Sequence, residues 1–126
     1  MKDFSHRIVA AVLAMGVLAS AFAGNKTSYE VVISTTGIKP YASGDLGYVR
    51  NTADFTQYIG CETTATLGGC YAVNAAGLYK SCTTTDAALI DLIRSINGDG
   101  NLFFSWNPDG TCKGIRVRND SLAAPK

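Results

Sequence analysis

Residues 101–119, NLFFSWNPDGTCKGIRVRN, carry the clearest structural instruction in the chain. An aromatic run meets Asn107-Pro108-Asp109-Gly110, and a β-branched, alternating segment follows. Pro, Asp and Gly in that order are turn chemistry, so the segment reads as a hairpin. The turn places Trp106 opposite Cys112 and Phe103 opposite Ile115. Leu102, Phe104, Trp106 and Cys112 then share one face, and Phe103, Ile115 and Val117 share the other. Apolar residues on both faces predict a hairpin at the centre of a packed sheet.

Working towards the N-terminus, residues 83–97 carry the one strong helical pattern. Thr84 or Thr85 can cap it, and Asp86 suits the first turn. Leu89, Leu92, Ile93 and Ile96 form the stripe that must dock. Residues 70–82, CYAVNAAGLYKSC, read as a second hairpin around Asn74 and Gly77. Its type I turn ends in a left-handed residue, which sets Val73 against Tyr79 and Cys70 against Cys82. Residues 29–35 and 55–64 have strand composition. Residues 37–47, with Pro40, Gly44 and Gly47, read as a loop, 48–50 as the start of a short strand, and 121–126 as a loose tail. Strands, one helix and a closing hairpin give an α+β class: a small antiparallel sheet of five to six strands with one packed helix. An all-β sandwich with an incidental helix is the alternative.

The first residues have a different character. Lys2 and Arg7 precede an uninterrupted apolar run over 8–19, and Ser20-Ala21-Phe22-Ala23 ends it with alanines suited to a cut before Gly24. Residues 1–23 therefore read as a secretory signal peptide, and 24–126 as a single exported domain with no membrane insertion after cleavage. Removing Lys2, Arg7 and Asp3 from the eleven basic and ten acidic side chains leaves nine of each. A neutral domain without a basic cluster argues against nucleic-acid binding. The single histidine, His6, lies in the removable segment. A mature chain without histidine excludes His-dependent triads, His general bases and nearly all catalytic zinc sites.

Cys61, Cys70, Cys82 and Cys112 make an even count in a small exported chain, which reads as two disulfides. Intervening stretches of 8, 11 and 29 residues are not zinc-ligand spacing. Three pairings are open. A Cys70–Cys82 bridge would fall at a hydrogen-bonded position of its hairpin, so Cys61–Cys70 with Cys82–Cys112 is favoured.

Tyr58-Ile59-Gly60-Cys61, Ser81-Cys82 leading into Thr85-Asp86, and Phe103-Phe104-Ser105-Trp106 closing on Gly110-Thr111-Cys112 together resemble a group of small exported four-cysteine bacterial proteins. The resemblance runs from about Gly44 to Ser121. It implies a secreted bacterial domain, periplasmic or extracellular, with the same cysteine layout. It implies no activity and transfers no functional residue.

No nucleophile–base motif, phosphate loop or activated carboxylate pair is legible, so the chain is expected not to be an enzyme and to need no cofactor. Asn97-Gly98-Asp99-Gly100-Asn101 resembles the start of a calcium loop, but Leu102 and Pro108 stand where Gly and Glu belong, so no metal site is expected. Trp106 reads as core. The candidate binding residues are Tyr41 and Tyr48, in the Gly-rich stretch, and Arg116 and Arg118, on one face of the last strand. The expected function is a non-enzymatic binding domain of the bacterial envelope or exterior, with a protein or glycan partner. The alternatives are a small inhibitor of a secreted hydrolase, using 37–47 as its loop, or a self-associating structural subunit using a free strand edge.

Overall fold

The computed structural model describes residues 26–123. The signal-peptide reading of 1–23 and the last three residues of the tail lie outside them. The element order is β1 (Val32–Ser34), β2 (Tyr41–Asp45), α1 (Leu46–Arg50), β3 (Tyr58–Thr63), β4 (Gly68–Val73), β5 (Tyr79–Thr84), α2 (Ala87–Arg94), β6 (Asn101–Trp106) and β7 (Cys112–Arg118). The mixed α+β class holds, but the single sheet does not. The strands form two antiparallel sheets, one ordered β1-β2-β6-β7 and the other a β3-β4-β5 meander. After β2 the chain winds into α1 instead of continuing as strand, and 58–84 then forms its ladders within itself, with a single bridge from Thr83 to Thr111.

Val31, Ala42, Ile59, Cys70, Ala72, Ile93, Leu102, Phe104 and Ile115 form one buried cluster drawn from both sheets and α2. Cys61–Cys70 crosslinks β3 to β4 at a directly opposed pair, and Cys82–Cys112 ties β5 of the meander to β7 of the larger sheet. The second bridge is reinforced where Thr83 N–H donates to Gly110 O at 3.1 Å. The favoured cysteine pairing is therefore the observed one.

The middle hairpin has the expected register, Val73 against Tyr79 and Cys70 against Cys82. Its Gly77 and the final hairpin's Gly110 have φ of +84° and +88°, values that side chains with a Cβ rarely adopt. The final hairpin departs from expectation. Trp106 does face Cys112, but Gly114 faces Ser105, leaving Lys113 as an extra residue in a bulge. One extra residue inverts every later side chain. Ile115 now faces Phe104 and Val117 faces Leu102, while Arg116 faces Phe103. The apolar residues of β7 are gathered on the core face instead of being divided between two faces.

Helix α2 is shorter than the 83–97 pattern, because Thr83 and Thr84 belong to β5. Asp86 is the N-cap: its Oδ1 accepts from Ala88 N at 2.8 Å and Leu89 N at 3.1 Å. Ile90 and Ile93 are its buried residues, Leu89 and Ile96 are half-buried, and Leu92 is exposed, so the docking stripe is rotated from the expected one. The helix lies close on Gly68 of β4, where a Cβ would stand 2.8 Å from Ile93 Cδ1.

The 37–47 stretch is not a long loop. Only 35–40 is irregular, and the rest is β2 and the start of α1. Residues 48–50 are helix, not strand. The tail is tied down as far as Ala123: Thr27 N donates to Leu122 O at 2.7 Å and Lys26 Nζ to Ser121 O at 2.6 Å.

Candidate functional site: the open face of the four-stranded sheet

Alternation along β1, β2, β6 and β7 sends one set of side chains into the core and leaves the other outside. Two registered rows cross the outer face: Val32–Ser43–Phe103–Arg116 and Asp45–Asn101–Arg118. Diagonal to the first, Tyr41 stacks on Phe103 with ring centres 5.2 Å apart and planes 22° apart. The Arg116 guanidinium lies 4.9 Å from the Phe103 ring centre on the neighbouring strand. A tyrosine, a phenylalanine and an arginine thus run side by side across three strands, with the cation held by the ring's negative face. Among the described residues Arg116 has no ion-pair partner.

The second row is anchored by a buried carboxylate. Asp45 is fully enclosed. Its Oδ1 accepts from Asn101 Nδ2 at 2.8 Å, and its Oδ2 from Tyr29 N at 2.9 Å and Thr27 Oγ1 at 3.0 Å. Burial of a carboxylate is tolerable only when its lone pairs are satisfied, and three donors do that here. The strap 27–29 is thereby fastened across the end of the sheet. At the end of the row Arg118 Nε lies 3.1 Å from Asp120 Oδ2, while its buried Nη2 has no hydrogen-bond partner among the described residues. Tyr29, Val32, Ser43, Asn101, Arg116 and Arg118 line a groove of about 180 Å³ between the rows. Tyr29 and Val32 are about half exposed, at 55% and 48%.

Of the four candidate residues, the fold brings Tyr41, Arg116 and Arg118 onto this face. Tyr48 is half-buried on α1 and is not part of the sheet. Arg116 and Arg118 share a face as expected, but that face is the open one only because of the Lys113 bulge. Sequence reading missed Phe103, which it placed with Ile115; the bulge carries no distinct composition that would have revealed this. It also missed the strap and Asp45, whose burial depends on a contact between residues far apart in the chain.

A second aromatic face lies on the meander. Tyr58, Val73 and Tyr79 form one row, and Tyr71 sits edge-on to Tyr58 at 5.8 Å. Tyr58 and Tyr79 flank Val73 and leave it buried, so these rings shield a valine. The alternation Tyr58, Gly60, Glu62 and Tyr79, Ser81, Thr83 was the signal available for it in the sequence. Trp106 packs on Phe104 at 5.9 Å at the rim of the core, in line with its expected role.

The 97–101 segment has other duties. Asn97 Oδ1 accepts from Asp99 N at 3.1 Å, Arg50 Nη1 lies 3.7 Å from Asp99 Oδ1, and Asn101 serves Asp45. Among the described residues no helix is long and apolar enough to cross a membrane. No family model, curated protein or solved structure matches the chain.

Proposed function

We propose that the chain is an exported, non-enzymatic binding domain that engages its partner through the open face of the four-stranded sheet. The carrying observation is the Tyr41–Phe103–Arg116 ladder: an aromatic surface held on three paired strands, with a cation that has no ion-pair partner among the described residues. Rigid aromatics and arginine are the side chains that contribute most to interfaces, since they cover area at small entropic cost. Two disulfides support export, because such bonds persist in oxidising compartments. They also stiffen the platform against rearrangement. The cationic groove favours a partner that presents a carboxylate or another anion.

The test is retention of exported proteins and polysaccharides from the producing cells on the immobilised, disulfide-bonded protein. A partner held by the wild type and released by Arg116→Glu or Tyr41→Ala supports the reading. Equal retention by all three, or substrate turnover by the protein alone, would overturn it.

A further inference from the structure

The registers of the meander bring three cysteines into one row. Cys61 of β3 stands opposite Cys70 of β4, and Cys70 stands opposite Cys82 of β5. Directly opposed residues project to the same side of a sheet, and here that side is the core. Cys112 of β7 joins the end of the row through its bond to Cys82. Cys70 and Cys82, one sulfur from each disulfide, are therefore cross-strand neighbours. Opposed Cα atoms of a hydrogen-bonded pair lie about 5.5 Å apart, within the span of a disulfide. Cys61 has no such relation to Cys82: β4 stands between them, and two strand spacings come to about 10 Å.

Exposure gives the row a direction. Cys61 lies on an edge strand of the meander and is half-buried, whereas Cys70, Cys82 and Cys112 are at most 7% exposed. Exchange needs access to the sulfur attacked, so a thiol in solution meets Cys61 first. The inter-sheet bridge is shielded from it. Among the described residues no cysteine is free, so the row is at rest until such a thiol arrives.

We propose that the cysteine row is a redox-sensitive relay, in which an external thiol that opens Cys61–Cys70 at the edge of the meander also opens the buried Cys82–Cys112 bridge between the sheets. The thiolate attacks Cys61 Sγ, a mixed disulfide forms there, and Cys70 leaves as a thiolate. Cys70 Sγ then attacks Cys82 Sγ. A Cys70–Cys82 bond forms, the Cys82–Cys112 bond breaks, and Cys112 leaves as a thiolate that takes a proton from water. A second external thiol displaces Cys61 from the mixed disulfide. Two external thiols are thus oxidised to one disulfide, and the protein gains two thiols, at Cys61 and Cys112. The new bond lies wholly within the meander, so β7, which carries Arg116 and Arg118, loses its covalent tie to it. The relay depends on the cysteine row alone and not on what the open face binds.

The test compares two single variants of the disulfide-bonded protein. Cys61→Ser leaves Cys70 free beside Cys82, and Cys70→Ser leaves Cys61 free with β4 between it and Cys82. Both lose the same bridge, so any loss of stability is common to the two. Each is incubated without reductant at about pH 8, where a cysteine is partly thiolate, and then alkylated with iodoacetamide. Peptide mapping by mass spectrometry reads which sulfurs are alkylated and which are paired. In Cys61→Ser the expected products are Cys70 joined to Cys82 and an alkylated Cys112. Cys112 should carry at least about tenfold more label there than in Cys70→Ser, because a positioned nucleophile reacts far faster than one that must first be brought to its target. If neither variant folds, brief treatment of the wild type with a limiting dithiol reads the same exchange, with Cys70–Cys82 and thiols at Cys61 and Cys112 expected. Label on Cys70 alone in Cys61→Ser, equal labelling of Cys112 in the two variants, or a one-disulfide wild type holding only Cys82–Cys112 would each overturn the relay.

Discussion

Deletion of Lys113 should be tolerated by the larger sheet. Lys113 is the exposed extra residue of the β7 bulge, and it has no partner on β6. Without it, Cys112 still pairs with Trp106, Gly114 with Ser105, Ile115 with Phe104 and Arg116 with Phe103. The ladder becomes continuous and every later side chain keeps its face. Ile115, 8% exposed, and half-buried Val117 stay on the core side. An inversion of the faces would expose Ile115 at a cost of about 1.5–3 kcal/mol. It would also turn Arg116 towards Phe104 and Leu102, where an unpaired cation costs several kcal/mol more. Together these would reach about 5 kcal/mol, as much as the whole stability of many small domains. The deletion instead changes only the local twist and should cost about 1 kcal/mol. Lys113→Ala removes an exposed side chain and should stay within about 0.5 kcal/mol. Urea denaturation of the oxidised variants, followed by circular dichroism and tryptophan fluorescence, reads both. A deletion variant that unfolds, or an alanine variant that loses several kcal/mol, would refute Lys113 as the extra residue that sets the faces.

Other consequences are as specific. Asp45→Ala should cost about 3 kcal/mol in denaturant titrations, since it strands the buried Asn101 amide and frees the 27–29 strap. Gly68→Val should lower the melting temperature, because even a Cβ there already collides with Ile93. Replacing Cys82 and Cys112 by alanine should cost more than replacing Cys61 and Cys70. Closed loops of 30 and 9 residues correspond to about 3.6 and 2.6 kcal/mol in the chain-entropy treatment. Asp54 is held at about 2, below the usual 3.8, chiefly by the Gln57 backbone and side-chain hydrogen bonds, and Asp109 is lowered chiefly by the Thr111 hydroxyl. A carboxylate with a depressed folded value stabilises above its unfolded value and loses that contribution as pH falls. Melting temperature should therefore drop from about pH 4 towards 2, and the drop should shrink in Asp54→Asn and Asp109→Asn.

The parts of this fold that depend on short-range chemistry were legible. Asn74 to Gly77 and Asn107 to Gly110 announce their turns because a left-handed glycine closes each. From those turns the opposed pairs Val73–Tyr79 and Trp106–Cys112 follow directly. What was hidden depends on partners distant in sequence. Whether 58–84 pairs with the rest or only with itself is decided in three dimensions, and so was the number of sheets. Thr83 and Thr84 fit a helix start as well as a strand end; pairing with β4 settled it. At the site, Arg116 and Arg118 shared a face by simple alternation, but which face was open depended on one bulged residue. Gly44 and Gly47 read as loop, yet Gly44 lies in β2 and Gly47 in α1, both within the core.

The most direct measurement is covalent footprinting of the disulfide-bonded protein with and without the exported material of its producing cells. The two aromatic faces are compared in one experiment. If the open face of the four-stranded sheet is the binding surface, Tyr29, Tyr41 and Phe103 become protected, while Tyr58 and Tyr79 on the meander label as before. Protection of Tyr58 and Tyr79 with none at Tyr41 and Phe103 would contradict it and move the site to the other sheet.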